Sequence, residues 1–197
     1  MYGGGAKKEP GVKLRRRISF AQEDVKKRIS EIKEIMASAM RVAILTISDS
    51  SAHGERADRS GPSVRERCAN LGWQIASEAI LPDDRGQISE RLKQLADSAG
   101  ADLILTTGGT GLGPRDVTPE ATSDICDRIV PGLAEMMRER GRQSTPRAAL
   151  SRAIVGTRGV TLIVNLPGSP KGAVESLNAI VELLPHASEV MRGARHD

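Results

Sequence analysis

"DLILTTGGTGLGPRDVTPEAT", residues Asp102 to Thr122, runs from an apolar stretch of β type into four glycines, two prolines and an adjacent Arg–Asp pair. Asp102-Leu103-Ile104-Leu105 reads as a buried strand. Thr118-Pro119-Glu120 reads as a helix start, with Thr118 as N-cap and a proline in the first turn. Glycines at a strand-to-helix joint let backbone N–H groups approach a ligand closely, and the usual ligand of that kind is a phosphate.

The same strand–loop–helix alternation extends on both sides. "VAILTI" (42–47) is a continuous apolar run followed by a polar loop, "SDSSAHGERADRSG". A helix from about Pro62 to Leu71 stops at Gly72, and "WQIASEAIL" reads as a second strand. "PDDRG" is a turn, and a helix from about Arg85 to Ser98 is closed by Gly100. Beyond the glycine loop the pattern predicts helices over 131–142 and 146–152 and strands near 153–156 and 161–166. "TLIVNLPGSP" repeats the theme of an apolar strand ending in a Gly/Pro loop, before a last helix from about Lys171 that is interrupted at Pro185. This order implies a three-layer α/β domain, its mostly parallel sheet covered by helices on both faces. Ligands of such sheets bind beyond the carboxyl ends of the strands. "SDSS", "PDD", "GGTG" and "LPGSP" all follow strands and so gather on one rim.

A chain of 197 residues, 39% apolar and 27% charged, suits one globular domain with an appendage. Residues 1–40 hold ten Lys/Arg against five Asp/Glu, and the remainder nineteen against twenty, so the basic pI of 9.3 belongs to the appendage. Tyr2, Phe20 and Trp73 are the only aromatic residues. A platform for stacking bases needs more, and nucleic acid is excluded as the default partner. No apolar run spans a bilayer and the basic N-terminus lacks the apolar centre of a secretory signal, which points to a cytoplasmic protein without membrane partners. Cys68 and Cys126 sit in helix-like patterns without a CxxC spacing and are expected as reduced, buried thiols. Residues 1–17 read as disordered. Ser19 and Gln22 have capping-box spacing, and Val25, Ile29, Ile32 and Met36 follow an amphipathic helical period. Met40, directly before the first strand, offers an alternative start. Residues 1–39 are therefore an extension, native or added, and residues 40–197 the functional domain.

Two common phosphate motifs are absent. Gly108 to Gly113 is followed by Pro114 and Arg115 rather than GK[ST], and "GTGLGPRD" lacks GxGxxG spacing. A nest of N–H groups for an anion is the favoured reading of the loop, with a structural turn as the alternative. Asp116 beyond the nest leaves two readings open: a turn cap, or a carboxylate that meets the phosphate through Mg²⁺. Asp83 and Asp84 pose the same choice, since either residue suits as a cap for the next helix and one of them as a metal ligand. Gly168 and Ser169 offer a second anion site or a capped turn. His53, His186 and His196 form no metal-binding spacing, and no GxSxG elbow is present.

Taken together, "LTISDSS…DRSGP", "TTGGTGLGPRDVTPEAT" and "LPGSPKG" resemble, in order, the molybdopterin-binding family of molybdenum cofactor biosynthesis, over about Arg41 to Arg192. "RDVTPEA" is most similar to its molybdopterin adenylyltransferase branch. The resemblance implies adenylyl transfer from Mg–ATP to the terminal phosphate of molybdopterin, with release of pyrophosphate. It implies that Gly108, Gly109, Thr110, Gly111, Gly168 and Ser169 hold the pterin and its phosphate, with Arg115 offsetting charge. Asp116 and Asp83 match the essential acidic residues, read as catalytic and as Mg²⁺ ligands. Ser48, Asp49, Asp58 and Ser60 match a first loop expected to serve the nucleotide. A homotrimer and a molybdenum-inserting partner enzyme are further implications. The alternatives are a non-catalytic molybdopterin-binding protein of the same fold and, from the N-terminal helix alone, an assembly scaffold.

Overall fold

The computed structural model describes residues 40–98 and 100–193. The expectations for residues 1–39, and His196, lie outside the described residues. Six strands form one sheet: Arg41–Ile47 (β1), Gln74–Leu81 (β2), Leu103–Thr107 (β3), Arg128–Ile129 (β4), Val155–Arg158 (β5) and Thr161–Leu166 (β6). Their order is β2-β1-β3-β6-β5-β4. The first four in that order run parallel, while β5 and β4 join antiparallel beyond β6. The helices are Asp49–Ala52 (α1), Ser60–Asn70 (α2), Arg85–Asp97 (α3), Thr118–Ser123 (α4), Pro131–Ser144 (α5), Pro170–Ile180 (α6) and Leu184–Met191 (α7), with a 3₁₀ turn at Pro146–Leu150. None of the described helices is long and apolar enough to cross a membrane.

The apolar runs explain the layers. Ala43, Leu45 and Ile47 of β1 share one face with Ile104 of β3 and Ile163 of β6, and they pack on Ile88 and Leu92 of α3 and Ala121 of α4. The alternate residues Val42, Ile44, Leu103, Leu105, Leu162 and Val164 point the other way by the pleat and are equally buried. There α2 packs on β1, β2 and α6, which in turn packs on α5. A strand buried on both faces must read as an unbroken apolar run. At the opposite end from the carboxyl rim, the buried Asp102 carboxylate accepts bonds from the Arg41 backbone N–H at 2.9 Å, the Arg41 guanidinium at 2.8 Å and the Arg192 guanidinium. Burial opposes its ionisation, but Arg41 and Arg192 outweigh that and hold the carboxyl below its usual range.

Some expectations need correction. The strand near 153–156 lies at Val155–Arg158 and forms a hairpin with β6 through Gly159-Val160, so this part of the sheet is antiparallel. β4 has two residues, too few to show a period. The segment 146–152 is a 3₁₀ turn that stops at Leu150. Val117, not Thr118, occupies the N-cap of α4, because the Thr118 hydroxyl is engaged elsewhere, donating to the Gly108 carbonyl at 3.0 Å. Cys126 lies after α4 in irregular chain and is half-buried, whereas Cys68 is buried in α2. Both thiols are free, and burial pushes them up to about 12 (Cys68) and about 11 (Cys126), so neither is a nucleophile near neutral pH.

The parallel strands position the site. β1, β3 and β6 end nearly level, since Thr46, one residue before the end of β1, pairs with Thr107 at the end of β3, and Thr107 with Leu166 at the end of β6. The chain leaves β1 toward β2 on one side, while β3 lies on the other. A crevice therefore opens between the loops after β1 and β3.

Candidate active site

Gly108 and Gly109 leave β3 with φ of +104° and +62°, in the left-handed region. A Cβ on Gly108 would collide with the Ile47 carbonyl, and one on Gly109 with the Thr118 hydroxyl. Side-chain-free backbone is required here both by conformation and by space. Thr118 closes the loop, its hydroxyl on the Gly108 carbonyl and its N–H on the Gly109 carbonyl at 3.1 Å. On the other side, the Gly108 N–H reaches the Leu166 carbonyl at 3.2 Å and the Thr107 hydroxyl reaches the Pro167 carbonyl at 2.8 Å. A Cβ on Gly168 would stand 3.2 Å from the Gly108 Cα, so the two glycine-bearing loops lie back to back.

Of the Asp83-Asp84 pair, Asp83 faces the crevice. Asp84 caps α3, accepting from the Gln87 N–H at 2.8 Å. Asp83 and Asp49 exchange bonds, each backbone N–H donating to the other's carboxylate at 2.9 Å. Burial raises the Asp83 pKa first of all, and the nearby Asp49 and Asp116 carboxylates add to it. Asp49 is shifted the opposite way, chiefly by the Asp83 N–H, with the Arg115 guanidinium contributing. Arg115 forks onto Asp49 through Nε at 3.0 Å and Nη2 at 2.9 Å. Asp116 folds back on its own loop, with Oδ2 accepting from the Gly113 N–H at 2.7 Å.

Other site residues expected from the sequence hold helix ends. Asp58 Oδ1 accepts from the Ser60 N–H at 2.9 Å and the Gly61 N–H at 3.1 Å, and Oδ2 from the Thr46 hydroxyl at 2.6 Å. Ser48 caps α1, and Ser169 caps α6 by accepting from the Gly172 N–H at 3.2 Å.

Two clefts adjoin across this rim. The larger, about 390 Å³, lies between the glycine loops, α5 and α6, and includes Thr110, Gly111 and apolar walls from Ala134, Met137, Leu150 and Ala153. The smaller, about 220 Å³, is lined by Ser48, Asp58, Ser60 and Asp83, with Arg56 and Arg59 as its cations. Gly109, Asp116 and Gly168 wall both. Asp49 and Arg115 line neither, their charges being spent on each other.

Two buttresses escape a reading of the sequence. Asn165 is buried in β6, where its amide donates to the hydroxyls of Thr106 at 3.0 Å and Thr122 at 2.9 Å and so ties β3 to α4. Its signal is a single amide inside the apolar run "TLIVNL". Arg152 reaches the glycine loop from the segment before β5 and carries no motif at all.

Residues 43–186 match the family model described as "Probable molybdopterin binding domain". The chain is 36% identical over 156 residues to a molybdopterin adenylyltransferase of Helicobacter pylori strain J99, covering 78% of this chain and 89% of that protein. It is also 36% identical to the molybdopterin adenylyltransferase of Escherichia coli K12, covering 73% and 74% of the two chains. The crystal structure of the molybdopterin biosynthesis enzyme MoaB from Thermus thermophilus superposes with a TM-score of 0.74 at 52% identity, over 80% of this chain and 99% of that one. With the match running from β1 into α7 and through every loop of the rim, the chain belongs to the molybdopterin-binding-domain family of molybdenum cofactor biosynthesis.

Proposed function

We propose that the domain at residues 40–197 transfers the adenylyl group of Mg–ATP to the terminal phosphate of molybdopterin, releasing pyrophosphate. The observation that carries this reading is the pair of clefts sharing Gly109, Asp116 and Gly168. A protein that only stored one pterin needs one compartment. A group transfer needs two, meeting where the phosphates react.

The apolar walls of the larger cleft, with Arg138 and Arg147 beside them, suit a flat heterocycle that carries a phosphate, and Arg56 and Arg59 of the smaller suit a polyphosphate. The acceptor's terminal phosphate oxygen attacks the α-phosphorus of ATP and pyrophosphate departs in line, so the protein's work is positioning and charge stabilisation. The backbone N–H groups of the glycine loops hold the phosphates at the shared wall. The donor set fits Mg²⁺. Among the described residues no three His, Cys, Asp or Glu side chains converge, but Oδ1 of Asp83 and Oδ1 of Asp116 are both left unbonded by the protein. Two carboxylates with the remaining positions given to phosphate oxygens and water are the usual way a protein holds this ion. Mg²⁺ bound there supplies positive charge to the polyphosphate, which these carboxylates would otherwise repel.

Pyrophosphate release from molybdopterin and Mg–ATP tests the reaction, and its absence at saturating substrates leaves a binding protein. In Asp116→Asn, molybdopterin affinity by titration is expected to stay within about threefold of wild type. Single-turnover AMP transfer is expected to fall by roughly 10²–10³. Near-normal transfer would return Asp116 to a turn-closing role.

A further inference from the structure

We infer that Arg152 is a positioning residue for this transfer, a guanidinium behind the glycine loop that orients its peptide groups toward the reacting phosphates. The inference rests on the adenylyl-transfer reading above. Three nitrogens of its side chain and its own N–H all go to the glycine loop or to the helix that follows it. The Arg152 backbone N–H meets the Thr110 carbonyl at 2.9 Å, and Nε meets the Gly111 carbonyl at 2.7 Å. Nη2 donates to the Asp116 carbonyl, and Nη1 pairs with the Glu120 carboxylate in the first turn of α4. One residue thus fixes both ends of the excursion 110–116 and the helix that follows it.

Outside these bonds, the excursion is tied to the rest of the protein by the exposed Arg115 fork onto Asp49, which holds a side chain and no peptide group. Leu112, Gly113, Pro114 and Arg115 are exposed, Leu112 to 66%. Among the described residues, the remaining bonds within it are the two between Gly113 and Asp116. A trans peptide unit points its C=O and the following N–H in opposite directions. Carbonyls of Thr110, Gly111 and Asp116 that face Arg152 therefore turn the N–H groups of Gly111, Leu112 and Val117 away from it. Thr110, Gly111 and Asp116 wall the larger cleft, and Arg152 does not. Of these donors the Gly111 N–H belongs to a residue of the cleft wall, so at that peptide the carbonyl lies behind and the donor in front, as an anion nest requires. Glu120 neutralises the guanidinium, so Arg152 does not compete for the substrate's phosphate. A lysine cannot substitute, because its single ammonium does not present donors to three separated acceptors in one plane.

The test uses full-length Arg152→Ala and Arg152→Lys. Amide hydrogen exchange at Gly113, Asp116 and Thr118, whose N–H groups have acceptors in and beside the loop, is read without substrate, so it stands whether or not adenylyl transfer is the true reaction. Exchange there is expected to speed up at least tenfold in both variants while β1 and β3 stay protected; wild-type exchange would overturn the inference. With molybdopterin and Mg–ATP, kcat of Arg152→Ala is expected to fall on the order of 10²-fold, the cost of an ångström-scale misplacement. The KM for ATP should move less than threefold. Guanidinium chloride at tens of millimolar is expected to restore at least tenfold, where equal sodium chloride or urea restores nothing. A kcat within threefold of wild type, or a loss that guanidinium leaves unchanged, would reject the role. Should Arg152→Ala not fold, Arg152→Lys decides by the same exchange and kcat criteria. Wild-type protein that releases no pyrophosphate rejects the adenylyl-transfer reading instead, separately from the exchange result.

Discussion

Asp83 shows how function and stability oppose each other in one side chain. Burial and the carboxylates of Asp49 and Asp116 raise its pKa in the folded protein. A carboxyl group whose folded pKa is raised favours folding most when protonated, and that stability is lost as pH rises from the ordinary value of 3.8 through the raised one. Asp83→Asn keeps an acceptor for the Asp49 N–H and removes the charge. Its melting temperature should exceed that of wild type at pH 7, the gap closing as pH falls through the raised value toward 3.8. AMP transfer should drop by about 10² over the same change. Thermal melts from pH 4 to 8 beside single-turnover assays check both signs. An asparagine variant no more stable than wild type at pH 7 would show that the acidic cluster is already balanced by the protein. The glycines at 108 and 109 were legible in the sequence because few residues other than glycine tolerate positive φ so close to another backbone. The partners of Asp83 were not, since Asp49 is 34 positions away and only the ends of β1 and β2 bring the two together.

Among the elements, α2 owes its start to a residue outside it. Asp58 accepts the N–H groups of Ser60 and Gly61 and the Thr46 hydroxyl, joining the helix to the end of β1. Asp58→Ala leaves these donors bare and should cost about 1–2 kcal/mol in urea denaturation. Asp58→Asn keeps the cap and should stay within about 0.5 kcal/mol of wild type. Equal losses in the two would place the effect in charge rather than capping. The long elements were readable because a run of several residues displays a period or an unbroken apolar stretch. The single turn α1, the two-residue β4 and the 3₁₀ turn have no such length. The Asp83 carboxylate on the Asp49 N–H holds α1 and the pairing with β5 defines β4, while short-range bonds to the Thr145 and Ala148 carbonyls close the 3₁₀ turn.

At the scale of the whole molecule, Asp102 joins distant parts of the chain, the start of β1 through Arg41 and the end of α7 through Arg192. Its depressed folded pKa contributes stability that is complete above the ordinary carboxylate value and is lost as pH falls through the depressed one. Asp102→Asn should therefore be less stable at pH 7, by about 1–2 kcal/mol because both arginines remain partly solvated. That deficit should shrink below about pH 4, where the wild-type carboxylate is also losing its charge. Denaturation at pH 3 and pH 7 measures it; an equal deficit at both would mean that the charge is not what matters.

The layers, the parallel centre of the sheet, the rim where loops gather and the family could all be read from the chain's residues in order. Those properties follow from local periodicity, glycine conformation and short contiguous motifs. Folding was needed to choose which of Asp83 and Asp84 faces the crevice, to spend the charge of Arg115 on Asp49, and to set two clefts against one shared wall. It also brought Arg152 and Asn165 behind the glycine loop and its neighbouring strands. A side chain's chemistry is written in its own position, but its partner is chosen by strand order and register, which no single stretch of sequence contains.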